Sequence, residues 1–219
     1  MLASAELLQA AEDLRWLLSK GYPRDASITL VGNRYGLPKP LREILRRGVM
    51  SPEVAERRRM KTIDPSSIRG ERLALDGHNV LITLRSALKG ETVLWGDDGF
   101  LRDIAGVSAG FRMDEHSRRA LELTLQDLLD LRPSEVLFLL DAPMSRSREL
   151  ARTISEELKS RGLKGRGEAV PVPERILKGF EGIVCSGDGD VIDNAQRVFD
   201  LAGYIVRKRK VCQVLRLKG

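Results

Sequence analysis

The sequence predicts an α/β protein, a mostly parallel sheet with helices on both faces, preceded by a small all-α region with a helix-turn-helix outline. Three features point there. From residue 71 onward, short apolar runs alternate with amphipathic helical stretches. The runs Arg72-Leu73-Ala74-Leu75 and Glu135-Val136-Leu137-Phe138-Leu139-Leu140 are continuously apolar after their first residue, as strands covered on both faces are. Before residue 50 the only periodicity is helical.

A first helix is expected over 4–19, where Leu7, Ala10, Ala11, Leu14, Leu17 and Leu18 recur at helical spacing. Ser4 is placed to cap it, and Gly21 with Pro23 ends it. A second helix starts near Arg24 and carries Ile28, Leu30 and Val31 up to the turn chemistry of residues 33–38. A third puts Leu41, Ile44 and Leu45 on one face, with Arg42, Arg46 and Arg47 on or near the other. Two short helices around a glycine-containing turn, the second rich in arginine, outline a module that docks on nucleic acid or makes a homodimer. Residues 1–50 therefore read as a helical module and 51–70 as a charged linker. In that linker Arg57-Arg58-Arg59 either grips phosphates or forms a solvated helix face.

The α/β domain occupies 71–219. It reads as a strand ending at Asp76, a helix over 79–88, and extended pieces at 91–95 and 100–104 around the turn Gly96-Asp97-Asp98-Gly99. A long helix follows over 114–131, then a strand ending at Asp141, a helix over 145–161, and strands at 168–172 and 182–185. A helix over 191–201 leads to terminal strands at 204–207 and 211–217, joined by Lys208-Arg209-Lys210, a candidate phosphate contact.

Composition narrows the function classes. The chain has 219 residues, 42% of them hydrophobic, enough for one packed domain and an appendage. No run approaches the roughly eighteen apolar residues of a membrane span. Glu6, Glu12 and Asp13 interrupt what a signal peptide would keep apolar. Cys185 and Cys212, with no Cys-x-x-Cys, make neither a disulfide framework nor a zinc site, so a cytoplasmic protein with no membrane partner is expected. The net charge of +6 is unevenly spread: residues 1–70 hold 13 Lys and Arg against 8 Asp and Glu, residues 204–219 hold 6 against none, and the middle is net acidic. Basic ends suit a polyanion such as nucleic acid, and converging acids suit a divalent cation. Uneven charge without function is the plain alternative. Asp76-Gly77-His78-Asn79 stands where a glycine-rich dinucleotide fingerprint would follow the first strand, and there is no P-loop, so dinucleotide enzymes are disfavoured.

Three central strands end in aspartate. The segments are Asp76 to Asn79, Asp141 to Ser145, and Ser186-Gly187-Asp188-Gly189-Asp190-Val191-Ile192-Asp193. If these strands are neighbours, Asp76, Asp141, Asp188 and Asp190 share one edge of the sheet, where open α/β sheets bind ligands, and Asp193 follows one turn later. Such carboxylates repel one another and stay ionised together only with a cation; Mg²⁺ or Mn²⁺ suits an all-oxygen set. Asn79 would hold a water or a phosphate, Ser186 would fix a carboxylate rotamer, and Gly187 and Gly189 would let both aspartates turn inward. The competing reading is that each aspartate caps the helix after it. An EF-hand is excluded, because the closing acid is missing.

Asp76-x-x-Asn79, the strand ending in Asp141, and Ser186-x-Asp188-x-Asp190 resemble the PIN/NYN nuclease superfamily over about residues 71–210. The whole chain also resembles a mainly archaeal family known only by domain-of-unknown-function labels, through Gly21-Tyr22-Pro23 and Leu30-Val31-Gly32-Asn33-Arg34-Tyr35. The PIN/NYN resemblance implies a Rossmann-like fold and metal-dependent RNA cleavage by water. Asp76, Asp141, Asp188 and Asp190 would be its ligands, supported by Asn79 and Ser186. Many PIN proteins carry a further acid on the helix after the early strands. Here a hairpin over 93–104 intervenes, with Asp97, Asp98 and Asp103 as candidates.

Other residues carry weaker signals. His78 is a general base or a hydrogen-bonded structural residue. Cys185 reads as an inert core thiol. Ser145 and Ser147 cap a helix, or touch a phosphate with Arg146 and Arg148. The leading expectation is a Mg²⁺- or Mn²⁺-dependent ribonuclease, with Arg42, Arg46, Arg57, Arg58, Arg59, Lys208, Arg209 and Lys210 on the RNA backbone. The alternative is a non-catalytic nucleic-acid-binding or regulatory protein. A phosphatase is disfavoured, since His78 stands where a second aspartate would be needed.

Overall fold

The computed structural model describes residues 3–104 and 112–217. Four helices come first. α1 (Ala5–Ser19) begins at Ser4, whose hydroxyl accepts the Leu7 N–H at 3.3 Å, and it buries Leu7, Ala10, Ala11, Leu14 and Leu17 along one stripe. α2 (Arg24–Arg34) and α3 (Lys39–Gly48) follow, separated by a turn in which Gly36 takes a φ of 58°. The segment read as a linker holds a fourth helix, α4 (Pro52–Met60), capped by Ser51, with Arg58 buried on its inner side.

The α/β domain is built on a four-stranded parallel sheet in the order β5-β4-β1-β6, where β1 is Arg72–Asp76, β4 Glu135–Asp141, β5 Gly165–Val170 and β6 Ile183–Cys185. Side chains alternate across it. Leu73, Leu75, Val136, Phe138, Leu140, Ile183 and Cys185 join a core with α5 (Gly77–Leu88), α6 (Glu115–Leu131), α7 (Ser147–Ser160) and α10 (Leu201–Arg209). Ala74, Leu139 and Val184 face the opposite core, filled by residues of α8 (Pro173–Lys178) and α9 (Gly189–Asn194). The strands are therefore apolar on both sides because helices cover both sides. No helix among the described residues is long and apolar enough to cross a membrane.

The expected hairpin forms, as β2 (Val93–Trp95) and β3 (Leu101–Asp103), but it does not join the main sheet. It makes a second sheet, β3-β2-β7, with β7 (Leu215–Arg216) parallel to β2. Leu94, Leu215 and Leu217 close the core of the amino-terminal helices.

The carboxyl-terminal third differs from the sequence reading. The helix expected over 191–201 is the short α9, after which Val198 bridges to Thr62 and Val184 in extended chain. Residues 204–207, read as a strand, lie within α10. Asp200 caps that helix by accepting the Gly203 N–H at 2.9 Å, and Leu201, Ala202, Ile205 and Val206 are buried at helical rather than alternating spacing. Lys208-Arg209-Lys210 thus ends a helix and is not a hairpin turn. Of 211–217, only Leu215 and Arg216 are strand.

Asp97, in the hairpin turn, joins the two halves. Its carboxylate accepts Arg15 Nε at 2.8 Å, Arg15 Nη2 at 2.9 Å and the Met50 N–H at 3.2 Å, its N–H donates to Gly48 O at 2.8 Å, and its carbonyl accepts Arg59 Nη1 at 2.7 Å. Truncating a nearly buried partner of a charged pair strands the other charge, at a cost of about 3–5 kcal/mol. Asp97→Ala is expected to lower the unfolding free energy by that order, read as a lower urea midpoint at unchanged slope. Arg34→Ala, which removes an exposed pair with Asp13, should change it by about 1 kcal/mol or less.

Candidate functional site

Asp76 and Asp141 are the last residues of β1 and β4, and Asp188 lies three residues beyond β6. Because β4, β1 and β6 are adjacent and parallel, all three acids reach the same carboxyl edge. Register sets their relation. Asp76 pairs with Leu139, so Asp141 lies two residues farther along its strand, and Leu75 pairs with Cys185, which brings Ser186 beside Asp76.

Asp76 is 8% exposed. Its Oδ2 accepts Ser186 Oγ–H at 2.9 Å and its Oδ1 accepts the Asn79 N–H at 3.3 Å. Burial pushes its carboxyl up to about 7; Ser186 and Asn79 oppose that rise, and the charges of Asp141 and Asp188 add to it. Asn79 Oδ1 in turn accepts the Gly187 N–H at 2.7 Å, and Ser186 Oγ accepts the Asp188 N–H at 3.1 Å, so one small network orients Asp76 and the loop after β6. Asp188 caps α9, its Oδ1 accepting the N–H groups of Asp190 at 2.9 Å and Val191 at 3.1 Å, and its side chain lies at the surface. Capping and convergence are therefore not exclusive: Asp76 and Asp188 each do both.

His78 is 2% exposed and lies against Asp141, its Nδ1 2.9 Å from Oδ2 and 3.0 Å from the backbone nitrogen, donating to the first or accepting from the second according to its tautomer. Burial lowers its pKa against the pull of Asp141. This geometry holds Asp141 in place, the structural role weighed for His78. Cys185 is fully buried, and burial drives its thiol upward, as an inert core cysteine requires.

Two expected acids go elsewhere. On α9, Val191 and Ile192 face the core, which turns Asp190 and Asp193 away from it. Asp190 pairs with Lys178 and accepts from Asn194. Asp193 is bound by Arg58 at 2.8 and 2.7 Å, with Arg57 at 3.7 Å, and Arg58 above all holds its carboxyl below the usual range. Among the described residues, no three His, Cys, Asp or Glu side chains stand close enough together to hold a metal ion as placed.

The cations expected on nucleic acid are mostly engaged within the chain. Arg42 donates to Leu37 O at 2.7 Å and Asn33 Oδ1 at 2.9 Å, and Arg46 pairs with Asp25 and Glu43. Arg59 pairs with Glu56, Lys208 with Asp127 and Asp130, and Arg209 with Asp127. Arg57 and Lys210 point outward.

Arg58 is buried, and here the sequence reading is corrected most. Asp98, whose side chain is fully buried, accepts Arg102 at 2.7 and 2.6 Å and Arg58 at 3.0 Å. Burial pushes Asp98 up, but Arg102 and then Arg58 outweigh it, and the carboxyl ends below its ordinary value. The same two guanidiniums grip the loop after β6: Arg102 Nε donates to Gly187 O at 2.9 Å and Arg58 Nη2 to Gly189 O at 3.2 Å. Gly187 and Gly189 do not have positive φ. They are small because a Cβ would meet Leu101 O at 2.9 Å in one case and Arg58 Nη2 at 2.7 Å in the other. Asp98 thus acts on the site through arginines, and its only signal in the sequence is the paired acids of the hairpin turn.

The folded pKa of Asp76, about 7, lies above its ordinary 3.8. The native state therefore keeps a proton that the unfolded chain has released over that interval, and this stability is complete below the lower value and lost as pH rises through the higher one. In chelator, Asp76→Asn is expected to gain stability relative to the parent between about pH 4 and pH 7, on the order of a few kcal/mol, on top of any fixed offset from the amide. Urea midpoints across that range check it; a difference independent of pH would contradict it.

The family described as "Domain of unknown function (DUF5616)" matches residues 65–204, and "Protein of unknown function (DUF434)" matches residues 6–61. The uncharacterized protein MJ0935 of Methanocaldococcus jannaschii is 31% identical over 204 residues, covering 92% of this chain and 97% of that protein. No solved structure matches the chain.

Proposed function

The chain belongs to the DUF5616 family, and from the acids at the edge of its sheet we propose a Mg²⁺- or Mn²⁺-dependent phosphodiesterase acting on RNA. One observation carries the reading: three neighbouring parallel strands deliver Asp76, Asp141 and Asp188 to one edge, the middle acid raised chiefly by its burial, with the charges of the other two adding to the rise. The resemblance of Asp76-x-x-Asn79, the strand ending in Asp141 and Ser186-x-Asp188-x-Asp190 to PIN/NYN nucleases supports it, with Asp190 drawn off by Lys178. It also supports RNA as the substrate.

The residues present fit a hydrated ion better than a bare one. No three acids stand close enough to hold an ion as placed, among the described residues, so an ion here would keep most of its waters and take one or two of these carboxylates directly, the rest through water. Asp76, Asp141 and Asp188 would hold it. When bound, the ion supplies an activated water and neutralises charge on the phosphodiester. The chain's own residues supply position. Ser186 and Asn79 fix Asp76, His78 fixes Asp141, and Arg58 and Arg102 fix the loop that carries Asp188. Asp190 and Asp193 have no part, because Lys178 and Arg58 hold them.

The sequestration of those two acids also favours a second reading, a regulatory protein that binds nucleic acid without cutting it. The amino-terminal helices would then dock on nucleic acid or form a homodimer covering the exposed Trp16, Tyr22 and Leu30. Two free cysteines suit the reducing cytoplasm under either reading.

End-labelled single-stranded RNA incubated with Mn²⁺ tests the choice. Asp76→Asn and Asp188→Asn are each expected to slow cleavage by on the order of 100-fold, while Asp190→Asn stays within a few-fold of the parent. Cleavage no faster than in chelator, or equal in Asp188→Asn, sinks the enzyme reading. Salt-sensitive binding that persists in that outcome favours the regulator.

A further inference from the structure

A cleft of about 1170 Å³ opens between α6 and α7, larger than most small-molecule sites, which run to about 1,000 Å³. Its direction follows from connectivity. α6 hands over to β4 at the amino edge of the sheet, and its 17 residues span about 25 Å, so its first turn lies at the carboxyl edge. α7 starts just after β4 ends, so its first turn lies at that edge too. The two helices run side by side, and the near end of the cleft is lined by Ser145 and Arg146, which follow Asp141 in the turn after β4.

The walls of the cleft differ along its length. At the far end Arg161 pairs with both Glu122 and Glu157, leaving one negative charge in excess there. The floor is the apolar flank of Leu121, Leu125 and Leu150. At the near end Asp114 is taken by Arg85, which lies outside the cleft lining. Arg112 and Arg118 make no ion pair among the described residues, and Arg146 has only a 3.9 Å contact with Glu149. Surplus positive charge therefore gathers at the end nearest the carboxylates. Arg146 is also held in the left-handed region, φ 61°, a conformation that side chains other than glycine avoid. Ser147 Oγ fixes that turn by hydrogen bonds to Asp141 O at 2.6 Å and Met144 O at 2.8 Å. Arg132 and Lys210 share that backbone conformation at helix ends; Arg146 differs in lining the cleft and in having its turn tied to the strand end of Asp141.

We propose that this cleft receives the single-stranded RNA leaving the carboxylate edge, with Arg112, Arg118 and Arg146 on its phosphates and the leucine floor under a base or ribose. The proposal rests on the phosphodiesterase reading for its choice of polymer. It assigns phosphate contacts to arginines the fold leaves available instead of those it has used in ion pairs.

Fluorescein-labelled ten-residue RNA, titrated by anisotropy in chelator, separates the two ideas. Arg146→Glu and the Arg112→Glu/Arg118→Glu double variant are expected to weaken binding by about tenfold or more. Each should also lower the slope of log Kd against log salt by about 0.7 for every phosphate left without its arginine. Arg34→Glu, an equal charge change on α2, should bind like the parent. Arg146→Gly, which adopts this backbone without strain, should raise the Tm while weakening binding, so a folding defect cannot explain the loss. Binding unchanged in the cleft variants, weakened equally by Arg34→Glu, or absent in the parent protein overturns the inference. So does displacement of the RNA by an equimolar poly-glutamate peptide. If binding needs these arginines but Mn²⁺ brings no cleavage, the cleft assignment stands and the phosphodiesterase reading falls. If cleavage depends on Asp188 while the cleft variants bind and cut like the parent, the reverse holds.

Discussion

The carboxylate of Asp98 has no exposed surface and two guanidiniums upon it. A charge in that position is tolerated only when its partners are fixed and their remaining donors are also used. Those donors reach Gly187 O, Gly189 O and Asp193, which is why a turn in the small sheet and a helix near the amino terminus set the shape of a loop beyond residue 185. Removing Asp98 would take from Arg102 its carboxylate partner and leave Arg58 with Asp193 alone. The fold of the carboxylate edge is in this sense specified from outside the sheet that presents it.

Much of that edge was legible in the sequence. An apolar run that stops at aspartate reads as a buried strand followed by a capped helix; β1 obeys that grammar, β4 stops at Asp141 without its capping α7, and β6 reaches the capping Asp188 three residues on. Their adjacency was not legible, since strand order depends on which helix covers which face. The run from Asp188 to Asp193 misled for a local reason. Read as a string, its three acids look equivalent, but once Gly189–Asn194 is helical, burial of Val191 and Ile192 sends Asp190 outward to Lys178 and Asp193 onto Arg58, and leaves Asp188 as the cap.

The misread segments share one cause, partners distant in sequence. Tyr204-Ile205-Val206 has the β-branched look of a strand, yet Asp200 caps a helix there, and Lys208 and Arg209 anchor its end to Asp127, about eighty residues earlier. Arg57-Arg58-Arg59 reads as one basic patch. In the fold these neighbours take three fates: Arg57 near the surface, Arg58 buried on Asp98 and Asp193, and Arg59 on Glu56 and the Asp97 carbonyl. Charge is visible in a sequence, but the counter-charge that consumes it is not.

The core of the amino-terminal helices is completed by Leu94, Leu215 and Leu217, and Arg15 donates to the Leu217 carbonyl at 2.9 Å. On the ribosome, the first helices are therefore synthesised long before the residues that seal them. Until residues 215–217 are made, the core that α1 shares with α2 and α3 lacks its last wall, and pairing of β7 with β2 is the late step that closes it. Fusing a partner directly after the last strand would load the very segment on which that closing step depends.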